Sequence, residues 1–241
     1  MRMAIVSDIH GNLTALEAVI ADLKRVGADV IVQGGDLVGG SRNAEVIDLV
    51  RERSWPGVYG NAEEMLWMPE QVTRNVRGPQ FRRMRNVVLT ETIPFICQAI
   101  GEERLAWLRS LPGRWARDDV TVMHAGPDDV WHSPWANASD EALEGLYGPL
   151  GCRTVVYGHI HHAFVRRLSR FTVANSGSLS FSYDGDPRAA YLLIDGDEII
   201  IRRVEYDVEE EIRWLSAAHY PDADWLAQIY RAATPIPPPT D

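Results

Sequence analysis

The chain has 241 residues, 46% of them hydrophobic, and 24 basic against 34 acidic side chains, for a formal net charge of −10. That excess of negative charge disfavours nucleic-acid polymers and anionic membranes as partners. Lys24 is the only lysine, which removes the P-loop and Schiff-base routes, and no apolar run reaches the length of about 18 residues that a membrane-spanning helix needs.

Short runs rich in Val and Ile alternate with helix-period segments through the first two-thirds, the pattern of an α/β fold with buried strands. Residues 3–7 read as a strand, too short for a signal-peptide core. Residues 13–26 read as a helix with Leu16, Val19, Ile20 and Leu23 on one face, 29–33 as a strand and 42–53 as a helix. A strand over 55–59, a mostly helical stretch over 63–111, a strand over 119–123, a helix over 140–146 and a strand over 154–157 follow. From His161 onward, short strands at 163–168, 171–174, 189–194 and 198–205 alternate with turn sequences such as Asp184-Gly185-Asp186-Pro187, a hairpin pattern. Helices over 208–217 and 225–233 close the chain, and their exposed-looking Trp214, Tyr220, Trp225 and Tyr230 pack on the body or on a second copy. Residues 1–234 read as one domain with a helical cap insertion at about 63–111, and 235–241 as a proline-rich extended tail. Cys97 and Cys152 lie in no CxxC pattern, which points to a reduced, cytoplasmic setting.

Ligands of open α/β sheets bind beyond the carboxyl ends of the strands. Those ends carry Asp8-Ile9-His10, Gly34-Gly35-Asp36, Gly60-Asn61, His124-Ala125-Gly126 and Gly158-His159-Ile160-His161. Singly, such an Asp reads as a helix cap, such a His as packing and Gly-Asn as a turn. Together, four of the seven histidines at strand ends, with glycines that let the backbone turn sharply, read as a shared metal crevice. Two Asp, one Asn and four His are too many ligands for one first-row ion and suit two. Mixed imidazole and carboxylate donors favour Mn, Fe, Zn, Co or Ni over Mg or Ca, with manganese the expected occupant. Such ion pairs clamp both oxygens of an in-line phosphoryl displacement, so phosphoester hydrolysis is the expected reaction.

The order DxH, GGD, GN, HxG and GHxH resembles the calcineurin-like metallophosphoesterases. Asn175-Ser176-Gly177-Ser178 and residues 184–191 resemble later stretches of the small bacterial and archaeal phosphodiesterase branch, so about the first 205 residues are covered. The resemblance implies a four-layer αββα sandwich of two mixed sheets with the site between them. It implies Asp8, His10 and His161 on one metal, Asn61, His124 and His159 on the other, and Asp36 bridging both. Asn61 would also orient the phosphate as a catalytic residue, and a metal-bridging hydroxide would be the nucleophile. The expected partner is a small phosphodiester or nucleotide-like substrate, with a homo-oligomer possible. Phosphomonoesterase or phosphoprotein phosphatase activity, or a non-catalytic scaffold on the same fold, are the alternatives.

Where many relatives carry His after Gly-Asn, this chain has Ala62, which supplies no proton to a leaving oxygen. Aryl esters are then favoured over alkyl esters, and Ala62→His is expected to raise the alkyl rate. Ser176 also replaces the family's proline, a change in turn rigidity. His132 and His162 are candidate substitute acids or ordinary surface histidines. Glu63 and Glu64 serve only with a raised pKa. Arg74, Arg77, Arg82, Arg83 and Arg85 read as a solvated helix face, or as a cap that delivers an arginine to the phosphate. Trp67, Trp131 and Trp135 read as packing residues or as a stacking surface for a base.

Overall fold

The computed structural model describes residues 1–240; the expected tail ends in Asp241, which lies outside them. Strand β1 (Arg2–Val6) pairs in parallel with β2 (Val30–Gln33) and antiparallel with β8 (Ala189–Asp195), which pairs with β9 (Glu198–Val204). This gives a mixed sheet in the order β2-β1-β8-β9. A second mixed sheet runs β3-β4-β5-β7-β6, from β3 (Arg114–Arg117), β4 (Val120–Met123), β5 (Thr154–Tyr157), β6 (Phe164–Arg167) and β7 (Thr172–Asn175).

The two-residue alternation of the strands builds the layers. Met3 and Ile5 join Val32 and Leu192 in a cluster with Val122, Val156 and Ala174 of the second sheet, so this cluster lies between the sheets. Ala4 and Val6 point the other way, into a cluster with α1 (Leu13–Val26), α2 (Asn43–Glu52), α3 (Asn61–Trp67) and α6 (Ile93–Ser110). Met123, Val155 and Tyr157 cover the outer face of the second sheet against Leu143 and Tyr147 of α7 (Asp140–Tyr147). Helix, sheet, sheet and helix thus stack in the four layers expected. Residues of the 63–111 stretch, including Leu66, Ile96 and Leu108, share the cluster of α1 and α2. Between α3 and α6 lie α4 (Glu70–Asn75), α5 (Arg82–Val87) and a π-helical turn over Val88–Thr92.

Three sequence expectations change. Residues 55–59 form no strand, only a parallel bridge from Gln33 to Gly57. Pro56 has no N–H to offer a ladder, and Tyr59 N–H turns away to the Pro112 carbonyl at 3.2 Å. Strand β3, Arg-Trp-Ala-Arg, was not anticipated because a charged edge strand carries no apolar run. Strands β7 and β8 are not a hairpin: residues 176–188 cross from one sheet to the other, over the ends where the site lies.

The closing helices α8 (Val208–Ala217) and α9 (Ala223–Ala232) dock on the body. Glu211, fully buried, accepts from Thr14 Oγ1, Ser41 Oγ and Arg42, and Arg42 lies over the Trp214 ring at 4.9 Å. Tyr220 and Tyr230 are buried against Phe95 and Phe181 rather than exposed. No helix among the described residues is long and apolar enough to cross a membrane.

Candidate metal centre

The pairing of β1 with β2 continues past the ends of both strands. Asp8 N–H donates to the Gly35 carbonyl at 3.0 Å, His10 N–H to Asp36 at 2.9 Å and Gly11 N–H to Leu37 at 2.8 Å. The backbone leaves extended geometry here: φ is 55° at Asp8, 46° at His10, 53° at Asp36, 68° at His159 and 53° at His161. Left-handed backbone costs a residue with a Cβ about 1–3 kcal/mol. Five such residues in one crevice, each a carboxylate or an imidazole, are what the fold tolerates to aim these side chains at one another. Two glycines permit the crowding, since a Cβ at Gly60 would sit 2.1 Å from Asp36 Oδ1 and one at Gly158 2.4 Å from Asp8 Oδ2.

Asp8, His10 and His161 place one ligand atom each within 4.8 Å of one another, and so do Asp8, Asp36 and His124. His161 Nε2 lies 3.1 Å from Asp8 Oδ1; His10 Nε2 is 3.6 Å from Asp36 Oδ2, and His124 Nε2 is 3.4 Å from Asp36 Oδ1. Asn61 Oδ1 is 2.9 Å from His124 Nε2 and 2.8 Å from His159 Nδ1. All seven residues picked from the sequence therefore meet in one crevice.

The histidine tautomers test whether cations fit. Nδ1 of His10, His124 and His161 lies 3.0, 2.9 and 2.6 Å from the carbonyls of Val38, Gly34 and Phe181. A carbonyl only accepts, so each Nδ1 carries a proton and, in the neutral ring, each Nε2 presents a lone pair. His10 Nε2 then faces His161 Nε2 at 3.2 Å, and Asn61 Oδ1 faces His124 Nε2, with no hydrogen between them. Burial, with His161 alongside, pushes His10 down to about 3, so His10 itself brings no proton to the first gap at neutral pH. Burial, then the charges of Glu63 and Asp8, push the Asp36 carboxyl well above its ordinary range. Converging lone pairs beside buried carboxylates are the arrangement divalent cations relieve, and the carbonyl contacts are the outer supports such ligands need.

Glu63 is not a proton donor. Burial raises its pKa, yet Oε1 accepts the N–H groups of Leu37 and Val38 at 2.7 and 3.1 Å, and Oε2 those of Asp36 and Gly60 at 2.8 Å each. It buckles the loop after β2 to the start of α3. Glu63→Gln turns one oxygen into an NH2 facing two N–H donors, at an expected cost of about 2–6 kcal/mol. Urea unfolding measures this, and a loss below about 1 kcal/mol contradicts it.

Burial pushes His159, like His10, down to about 3. A histidine with a depressed folded-state pKa contributes stability that is full above the unfolded value of about 6.5 and is lost as pH falls toward 3. Asp36, with its raised pKa, works in the opposite sense. The melting temperature of metal-free His159→Gln should therefore fall less between pH 7 and 4 than that of the parent; equal slopes contradict this.

The crossover after β7 supplies supports that the sequence did not assign. Ser178 Oγ donates to the Asp8 carbonyl at 2.8 Å and Asn175 Nδ2 to the Gly158 carbonyl at 2.6 Å. Asp184, paired with Arg203, accepts Ala163 N–H at 3.1 Å and Ser182 Oγ at 2.7 Å, which ties together the segments where His161 meets the Phe181 carbonyl. Tyr183 stacks on His161 at 4.8 Å. The Asp184-Gly185-Asp186-Pro187 sequence was readable as a turn, but nothing in it announced a partner twenty residues away.

Other candidates lie apart from these contacts. His132 bonds Asp129 on an exposed loop at 2.7 Å. Arg83 forms a two-pronged pair with Asp222, and Arg85 donates to the carbonyls of Val76 and Gly78. Trp135 is exposed, Trp67 packs at the edge of the main cluster, and Trp131 Nε1 donates to Glu64 at 2.6 Å.

The calcineurin-like phosphoesterase superfamily domain matches residues 1–198. An uncharacterized protein of Methanocaldococcus jannaschii is 28% identical over 250 aligned positions, covering 94% of this chain and 96% of that protein. A crystal structure of a metallophosphoesterase from Sphaerobacter thermophilus superposes with a TM-score of 0.79 at 26% identity, covering 97% of this chain and 99% of that one. A hypothetical protein from Pyrococcus horikoshii shares the fold, with a TM-score of 0.80 at 17% identity over 95% of this chain and 97% of its own. With its Asp and His groups able to bind metal, the chain belongs to the calcineurin-like phosphoesterase superfamily.

Proposed function

We propose that the protein is a dinuclear-metal-dependent phosphoesterase acting on small phosphodiesters or nucleotide-like substrates. The facing lone pairs of His10 and His161, and of Asn61 and His124, carry this reading, because two separate gaps call for two cations. Asp8, His10 and His161 would hold one ion and Asn61, His124 and His159 the other. Asp36 would reach both, its Oδ2 facing His10 and its Oδ1 facing His124. Bound ions supply charge for the phosphate oxygens and a water that ionises near neutral pH.

The chain's own residues prepare the site. The carbonyls of Val38, Gly34 and Phe181 fix the tautomer in which three Nε2 atoms face the crevice as ligand atoms. Asn61 commits Oδ1 to the metal side, which leaves its Nδ2–H2 to donate to a phosphate oxygen. Manganese is the proposed occupant, on the mixed donor set, and the setting is cytoplasmic, on composition. The net charge of −10 supports a small phosphoester rather than a nucleic-acid polymer as partner.

The test is a screen of protein loaded with Mn, Ni, Co or Zn against bis-p-nitrophenyl phosphate and p-nitrophenyl phosphate. Turnover of the diester, lost on chelation, supports the reading. No turnover with any ion, together with a melting temperature indifferent to chelator, contradicts it and favours a scaffold.

A further inference from the structure

We propose that the cavity walled by Tyr59, Glu64, Asp128, Asp129 and Trp131 receives the organic group of the substrate and selects one carrying a cationic amine, primary or quaternary. Its place in the reaction rests on the phosphoesterase reading above; its binding chemistry does not.

The cavity has a volume of about 480 Å³, enough for a small ester substituent, and no Lys, Arg or His is among its lining residues. Trp131 is braced from two sides: its indole N–H donates to Glu64 Oε2 at 2.6 Å and its backbone N–H to Asp129 Oδ1 at 2.7 Å. Asp129 Oδ2 is taken by His132 at 2.7 Å, so Glu64 Oε1 and the Asp128 carboxylate remain to meet a ligand. Tyr59, set edge-on to Trp67 at 5.7 Å, adds a second aromatic ring. Aromatic surface beside unspent carboxylates is the combination that holds an ammonium group, each ring contributing about 0.5–2 kcal/mol. The same carboxylates repel an anion.

The wall is built on the elements that carry the proposed metal ligands. Glu64 follows Asn61 by one turn of α3 and is the residue that holds the Trp131 indole. An ester group extending along α3 from a phosphate beside Asn61 would meet this surface. A substrate with a second phosphate in that position is disfavoured, which sets the chain against polyphosphate-bridged nucleotides and toward phosphoesters of amino alcohols.

The direct test is calorimetric titration of the metal-free protein with choline and with its neutral isostere 3,3-dimethylbutan-1-ol. Choline should bind at least about tenfold tighter, and Asp128→Asn or Glu64→Gln should each remove most of that difference. Equal affinity for the two, or a preference unchanged in both variants, overturns the proposal. Asp128→Asn leaves the Trp131 braces intact, so its result does not depend on Glu64→Gln folding. With the metal-loaded protein, p-nitrophenyl phosphorylcholine should exceed the p-nitrophenyl ester of thymidine 5′-monophosphate in kcat/KM by a similar factor. A choline ester that is no better overturns the substrate assignment. Selective choline binding without hydrolysis of any ester would support the cavity and count against the phosphoesterase reading alone.

Discussion

Replacing Asp36 by asparagine is expected to lower metal-supported hydrolysis of bis-p-nitrophenyl phosphate by about 10³-fold or more, equivalent to about 4 kcal/mol of transition-state stabilisation. Asp36 is the carboxylate whose two oxygens face histidines of both proposed ion sites, so its loss weakens both at once. The same change should leave the metal-free protein at least as stable as the parent at neutral pH. Asparagine retains an oxygen to accept the Ala62 N–H that Asp36 Oδ1 takes at 2.8 Å. It also removes a carboxyl whose charged form burial, Glu63 and Asp8 disfavour. A carboxyl whose folded-state pKa is raised contributes stability that is full below its unfolded value and lost as pH rises through the folded one. That contribution declines as pH rises above the unfolded value, and asparagine has none to lose. Initial rates with Mn and melting curves in chelator measure the two halves. Activity within tenfold of the parent, or a metal-free variant that melts well below it, contradicts the account.

The second large effect concerns the leaving group. With the metal-loaded protein, p-nitrophenyl phosphate should turn over about 10²- to 10⁴-fold faster than glycerol 3-phosphate, the range a missing general acid removes from a poor leaving group. Ala62 has no proton to give. Glu63 is bound by four backbone N–H groups and His132 by Asp129, so neither stands in. Comparable rates on the two esters contradict this and require an acid elsewhere. Ala62 itself is 5% exposed within the main apolar cluster. Ala62→His must therefore place an imidazole in confined space, and any gain in alkyl rate should come with a lower melting temperature.

The proposed ligands were legible as a group because metal chemistry restricts residue type and strand ends restrict position. Asp8, His10, Asp36, His124, His159 and His161 each follow an apolar run, and Asn61 follows Gly60 at the start of a helix. The layers were legible for a related reason: strands buried on both faces, such as residues 3–6, read as continuous apolar runs. What the sequence hid depends on contacts between distant segments. Glu63 read only as an acid that would need a raised pKa, whereas its carboxylate lies beneath the loop after β2 and accepts that loop's N–H groups. Residues 176–188 looked like hairpin turns, yet they change sheets and bring the Phe181 carbonyl to His161. β3 hid behind its arginines, and Pro56 with Gly57 reduced an expected strand to a single bridge.

The central claim is that the facing lone pairs mark two cation sites. The most direct measurement is metal content, by inductively coupled plasma mass spectrometry, of protein equilibrated with manganese and freed of excess ion. Two ions per chain are expected in the parent and one or fewer in Asp36→Asn. One ion or none in the parent, or two retained in the variant, would contradict a dinuclear centre bridged by Asp36.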